Sequence, residues 1–177
     1  MKAEEFVLKI KSSAPQASDY SNKGLTEQFA KNAVNSFMID RIKNNSIFRD
    51  ELLRLIDCFD ISKLKIGIVK FYDKVEIKSS YYLIGEVEAD WLVIEKMTGL
   101  VRIIELYSQN DLWLGALNGS RFLEAMLTAK QFFLKRSFDD SLFDNQEITC
   151  FIAEQCAELA GGEQFIEFYK MLLGCFS

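Results

Sequence analysis

The sequence predicts an α+β fold, in which a single antiparallel sheet of about five to six strands is flanked by helices before and after it. Residues 24–60 and 120–174 carry apolar side chains at helical spacing, whereas residues 64–117 contain short runs rich in β-branched and aromatic residues. The links between these runs are too short for crossover helices, so the strands are expected to form an antiparallel meander. The order of helices, strands and helices is typical of helices packed against one sheet.

The polar residues 1–23 are predicted to be a loop or a loosely attached tail. Serines and the single proline, Pro15, interrupt any regular pattern in this segment. The apolar residues between positions 6 and 10 leave open an edge strand instead. Residues 24–177 are then expected to form one domain.

Two helices are predicted before the sheet. Thr26 is the expected N-cap of the first, which ends near Lys43, where Asn44 and Asn45 follow. Ser46 is the expected N-cap of the second. Its apolar face runs from Phe48 to Phe59.

The sheet is predicted from five runs separated by turn-forming residues. The best local signal is the segment Lys96-Met97-Thr98-Gly99, because its glycine can adopt the positive φ that a tight hairpin needs. The predicted strands are Leu64–Phe71, Tyr81–Gly85, Trp91–Glu95, Val101–Leu106 and Leu112–Leu117.

Three helices are predicted after the sheet. Ser120 is the expected cap of the first, which runs to about Arg136, and residues 138–143 form a loop. Asp144 and Glu147 have the spacing of a capping box for the second, which should stop at Gly161. The last helix covers residues 163–173.

The composition excludes several chemistries. The 177 residues include no histidine, so Cys/His zinc sites and Ser-His-Asp or Cys-His catalysis are excluded, and neither common glycine-rich phosphate loop is present. These absences exclude the named mechanisms but not catalysis in general. The chain is predicted to be a non-catalytic binding domain without a cofactor. The net charge of −5 and the pI of about 4.9 disfavour nucleic-acid binding.

The location predicted from the sequence is cytoplasmic. The N-terminus lacks the basic and apolar regions of a signal peptide, and no stretch approaches the length of a membrane span. The four cysteines form no CxxC pair, and Cys150 and Cys156 are expected to be buried, reduced thiols. The sequence does not indicate an oligomeric state.

Acidic residues follow the second predicted strand. Glu86, Glu88 and Asp90 alternate, so an extended chain would place all three carboxylates on one side. Three interpretations stay open: a solvated loop, an acidic rim that binds a partner, or a cation or catalytic site. Asp111 and Trp113 are further candidates for partner binding. Aromatic residues on strands usually belong to the core, but an exposed ring beside acids would suit a protein partner better than nucleic acid.

The stretch from Tyr81 to about Phe133 resembles the SUKH superfamily of bacterial toxin-immunity proteins and fungal cell-wall regulators. Its motifs are an apolar-Ile-Gly strand end, a strand, a Thr-Gly turn and an Asn-to-Ser segment that opens a helix. Glu95 stands where an Asp is common, and one residue separates the Asn from the Ser. The matching residues are Tyr82-Leu83-Ile84-Gly85, Trp91–Glu95, Thr98-Gly99, Leu100–Ile104 and Trp113–Ser120, followed by Phe122 and Leu123.

This resemblance implies an α+β domain whose sheet surface binds another protein. In bacteria that partner is often a toxin, frequently a nuclease, and an acidic inhibitor suits a basic partner. The resemblance therefore predicts an immunity protein, with Glu86, Glu88 and Asp90 as its first contact candidates. A regulatory or scaffold domain of the same fold, a carboxylate- or metal-dependent enzyme and a small-ligand sensor remain alternatives.

Overall fold

A computed structural model describes residues 1–176, which form a six-stranded antiparallel sheet, a two-stranded sheet and helices at both ends of the chain. The predicted α+β class is confirmed. In chain order the elements are α1 Ala3–Ser12, α2 Ala17–Asn22, α3 Glu27–Asn35, β1 Asp40–Arg41, α4 Glu51–Cys58, β2 Phe59–Asp60, β3 Lys65–Ile66, β4 Val69–Ile77, β5 Tyr81–Val87, β6 Asp90–Glu95, β7 Val101–Ile104, β8 Asp111–Ala116, α5 Gly119–Phe138, α6 Gln146–Ala160 and α7 Ile166–Leu173, with short 3₁₀ turns at Asp140–Leu142 and Glu163–Phe165.

The large sheet is the predicted antiparallel meander. Strands β3 to β8 lie in sequence order, and each is hydrogen-bonded antiparallel to the next. The hairpin at residues 96–99 is present, with the Gly99 N–H donating to the Glu95 carbonyl at 2.9 Å. The separate pair of β1 and β2 was not predicted.

The main core lies between the large sheet and the helices. Buried side chains of α5 and α7, among them Phe122, Met126 and Phe168, share this core with strand residues such as Leu92 and Ile103. The Tyr169 hydroxyl donates to the Gly115 carbonyl at 2.9 Å, which ties α7 to β8. Burial raises the pKa of Tyr169 well above its ordinary value.

The N-terminal segment is a packed helix, so the prediction of a loop, a loose tail or an edge strand is wrong. Ala3, Phe6, Val7 and Ile10 follow helical spacing and are buried in the main core. Glu4 on the outer side of α1 forms ion pairs with arginines before and within α4. Of the serines that suggested a loop, Ser12 and Ser13 lie at the end of α1, whereas Ser18 and Ser21 lie within the second helix, α2.

Several element boundaries differ from the predictions. Thr26 caps α3 as predicted, but the helix ends at Asn35 rather than near Lys43. Asp50, not Ser46, caps α4, and the Ser46 hydroxyl donates to the Asp57 carboxylate at 2.6 Å. At the later helices the true caps are Asn118 and Asn145, in place of the expected Ser120 and Asp144. The helix α6 ends at Gly161 as predicted.

The first predicted strand is in fact a hairpin. The chain turns at Gly67, which has a φ of +59° that glycine adopts readily, and β4 then continues to Ile77. A Cβ atom at position 67 would also lie 2.9 Å from the Phe133 ring on α5. The tight approach of this turn to α5 explains why an apolar run of eight residues does not stay in one strand.

The prediction of a buried, reduced thiol is confirmed for Cys156 and is wrong for Cys150. Cys150 and Cys175 form a disulfide that joins α6 to the residues after α7, whereas Cys58 and Cys156 are buried free thiols. Burial raises the pKa of Cys156 to about 12. Along residues 1–176, no helix combines the length and the apolar character that crossing a membrane requires.

Truncation of the α1 core residue tests the N-terminal packing. Phe6→Ala should lower the free energy of unfolding by about 3 to 4 kcal/mol, because a fully buried ring is replaced by a cavity. Leu8 lies on the same helix and is 68% exposed, so Leu8→Ala should change the free energy by less than about 0.5 kcal/mol. Urea denaturation measures both. Equal, small effects would show that α1 does not belong to the cooperative core.

Removal of the disulfide should destabilise the protein. The bond closes a loop with a sequence separation of 25, so the Cys150→Ala/Cys175→Ala variant should lose about 3 kcal/mol of unfolding free energy. Thermal melts with and without a reducing agent measure the effect. The reductant should lower the melting temperature of the unmodified protein and leave that of the variant unchanged. A reductant-independent melt of the unmodified protein would contradict the bond.

Candidate functional site

The six-stranded sheet has one face that the helices do not cover, here called the outer face. Leu83, Val93 and Ile104 form a second small core there and are at most 4% exposed. Within residues 1–176 the partly buried hydrophobic side chains packed against this core all come from strands: Tyr72, Tyr81 and Trp91. The outer face is thus sealed by its own aromatic residues, and their rings form its surface.

Charged side chains on the outer face occur in pairs. Lys70 contacts Glu86 at 2.9 Å, and Arg102 contacts Asp111 at 3.1 Å and Glu95 at 3.5 Å. The Arg102 Nε atom is buried without a hydrogen-bond partner among the described residues. Burial raises the pKa of Tyr72, and the nearby Glu86 carboxylate adds to the effect. Much of this face is therefore electrostatically balanced.

One end of the sheet differs from this balanced face. The β5–β6 turn, residues 88–89, and the β7–β8 loop, residues 105–110, lie side by side, because the strands alternate in direction. Asp90 joins them by accepting a hydrogen bond from the Leu106 N–H at 3.2 Å. We call these two connections, together with Asp90 and Asp111, the turn end.

The turn end combines backbone strain with uncompensated negative charge. Glu88 and Gln109 both have a φ of 56°, and they are the non-glycine residues with positive φ in the part of the chain that the structure describes. Such conformations cost about 1 to 2 kcal/mol each and concentrate at functional sites. Glu88, Asp90 and Glu105 form no ion pair within residues 1–176. Tyr107, 90% exposed, stands among them.

Four of the five predicted site residues lie at or beside the turn end, but they do not share one face. Glu86 is paired with Trp91 and lies on the outer face, whereas Asp90 is paired with the core residue Val87 and lies on the helix side. Glu88 is at the tip of the turn between them. The prediction of three carboxylates on one side is wrong, because the chain reverses after Glu88.

The other two predicted residues, Asp111 and Trp113, are separated by a bulge in β8. Asp111 is opposite Ile104 of the outer face, and Trp113 is opposite Ile103 of the main core. Trp113 is half-buried on the helix side, beside Met171 and Phe176. Trp113 therefore does not belong to the turn end. No cluster of three or more residues able to hold a metal ion forms within positions 1–176.

Sequence reasoning missed Tyr107 and Gln109. The only available signal was an aromatic residue within the polar segment Tyr107-Ser108-Gln109-Asn110 between two strands. Exposed aromatic side chains are frequent anchors in protein interfaces. The strained φ of Gln109 has no sequence signature, since glycine or asparagine usually marks such a position.

Comparisons of this chain with protein-family models, curated proteins and solved structures found no match. The resemblance to the SUKH superfamily therefore remains a hypothesis that depends on the motif residues alone.

Relief of the strain at Glu88 should stabilise the protein. Glu88→Gly should raise the free energy of unfolding by up to about 1 kcal/mol, because glycine adopts positive φ without the Cβ clash and loses part of that gain to chain entropy. The control Glu88→Gln keeps the strain and removes the charge, so it should change stability by less than about 0.5 kcal/mol. Urea denaturation measures both. Destabilisation by glycine would show that position 88 is not strained.

Proposed function

We propose that this chain is a non-catalytic protein-binding domain and that the turn end is the centre of its binding surface. The observation that carries the proposal is the grouping of strained backbone, unpaired carboxylates and an exposed tyrosine in two adjacent connections. Backbone strain and repulsion between the carboxylates of the turn end both lower the stability of the fold. Partner binding is a reason for the chain to keep these two destabilising features.

The chemistry of the turn end favours a basic partner. Glu88, Asp90 and Glu105 present negative charge without a cation from the described residues, whereas Glu86 and Asp111 beside them are already paired. Long-range attraction to a basic surface would increase the association rate. Tyr107 would supply an aromatic contact at the centre of such an interface.

Within this proposal the partner is a toxin domain, such as a nuclease, and the chain is its immunity protein. Support comes from the SUKH-like motif residues and from the acidic character of the turn end. The proposal includes the cytoplasmic location predicted from the sequence. The Cys150–Cys175 disulfide argues against that location, because disulfides are rare in the cytosol.

A pull-down from the native cell's lysate with the tagged chain, followed by mass spectrometry, identifies the partner. Affinity is then measured for two matched double variants. Glu88→Lys/Tyr107→Ala alters the turn end, and Glu154→Lys/Phe151→Ala makes a matched charge reversal and aromatic truncation on the exposed surface of α6. The first should weaken binding about a hundredfold, because it removes an anchor and reverses a charge, and the second should leave Kd unchanged.

The outcomes separate the parts of the proposal. Equal affinities for the two variants would remove the turn end from the interface. A captured partner without a basic, toxin-like domain would reject the immunity function while leaving the binding surface in place. All four altered side chains are exposed, so both variants are expected to fold. Melting curves of the two variants check this expectation.

A further inference from the structure

A second surface feature lies on the helical side of the molecule, away from the turn end. A groove of ≈ 370 Å³ opens between the α2–α3 segment and the second half of α5. Its walls are mostly apolar, and its volume is at the lower end of the range for small-molecule sites. The groove is lined by Tyr20, Leu25, Phe29, Ala33, Ser36, Phe37, Lys130, Phe133, Leu134 and Ser137.

Lys130 is the single charged side chain in this lining. Its Nζ atom donates to the Lys65 carbonyl at 3.0 Å, is 3.5 Å from the Ser36 hydroxyl, and lies 4.3 Å from the centre of the Phe37 ring. An ammonium group has three N–H donors, so these contacts leave one without an oxygen acceptor among residues 1–176. Across the same residues, no carboxylate forms an ion pair with Lys130.

The shift in the pKa of Lys130 agrees with this geometry. Burial against the groove walls lowers its pKa from 10.5 to about 8. A charged ammonium group in apolar surroundings is costly unless an anion compensates it. Two other basic residues near the groove have acceptors within the chain: Lys23 contacts the Asp140 carboxylate, and Arg136 donates to the Leu173 carbonyl.

We infer that this groove binds a small amphipathic monocarboxylate, whose carboxylate meets Lys130 and whose apolar body lies along Phe29, Phe133 and Leu134. One cation in an apolar groove matches one negative charge on an apolar molecule. A ligand with two negative charges would leave a charge uncompensated, because the lining supplies a single cation. The inference does not depend on the proposed partner binding at the turn end.

The test uses three probes with the same apolar chain: octanoate, 1-octanol and octylammonium. Binding to the full chain is followed by amide chemical shifts in a ¹⁵N-labelled sample. Octanoate should bind at least tenfold more tightly than 1-octanol and shift the groove amides, and octylammonium should not bind. Lys130→Met should abolish the preference for the acid over the alcohol. Lys135→Met, an exposed lysine on the same helix, should retain it.

A second variant blocks the groove itself. Ala33→Trp should fill the space and prevent binding of both octanoate and 1-octanol, and Lys130→Gln replaces Lys130→Met if the latter does not fold. Equal affinity of the unmodified protein for acid and alcohol would overturn the inference. So would a preference for the acid over the alcohol that survives in Lys130→Met.

Discussion

The Asp50 carboxylate fixes the arrangement on which the rest of the fold depends. One of its oxygens accepts hydrogen bonds from the Leu52 and Leu53 N–H groups at 2.9 and 3.2 Å, and the other accepts one from the Gly119 N–H at 2.9 Å. A single negative charge therefore caps α4, which precedes the sheet, and contacts the start of α5, which follows it. Both helix N-termini carry partial positive charge, so the contact is favourable to each. A Cβ atom at position 119 would lie 2.1 Å from the carboxylate, so glycine is required there.

This contact determines which face of the sheet is left open. Since α4 and α5 are joined at their N-termini, both lie against the same side of the meander, and α1 and α7 share their core. The opposite face has no helix to cover it, and it is closed by Tyr72, Tyr81 and Trp91 over a small apolar core. Binding surfaces on that side must therefore form from strand side chains and from the connections at the strand ends, where backbone strain is also found.

Local patterns predicted most helices and strands after residue 23, but they missed α1, α2 and the β1–β2 pair. Contacts between distant segments decided further details. Ser46 and Asp50 are both good N-caps by residue type, and Asp50 prevails because it also serves the start of α5. The alternation of Glu86, Glu88 and Asp90 was read as one extended face, although a two-residue turn divides it. Cysteine positions carry no pairing information by themselves, so the sequence alone does not predict the Cys150–Cys175 disulfide. The groove at Lys130 depends on how α2 and α3 pack on α5, which periodicity does not encode.

The contrast between two half-buried cations, Arg102 and Lys130, bears on where the molecule recognises a ligand. The chain has 26 acidic and 21 basic residues, so carboxylates are not scarce. Arg102, on the outer face, is flanked by Glu95 and Asp111, and these carboxylates compensate its charge within the fold. Lys130 is compensated within residues 1–176 only by a carbonyl, a distant hydroxyl and an aromatic ring. Because apolar surroundings penalise an uncompensated charge, a lysine serving only the fold could be replaced there by an apolar residue at little cost. Its presence in an open groove is better explained by an anion that arrives from outside the chain.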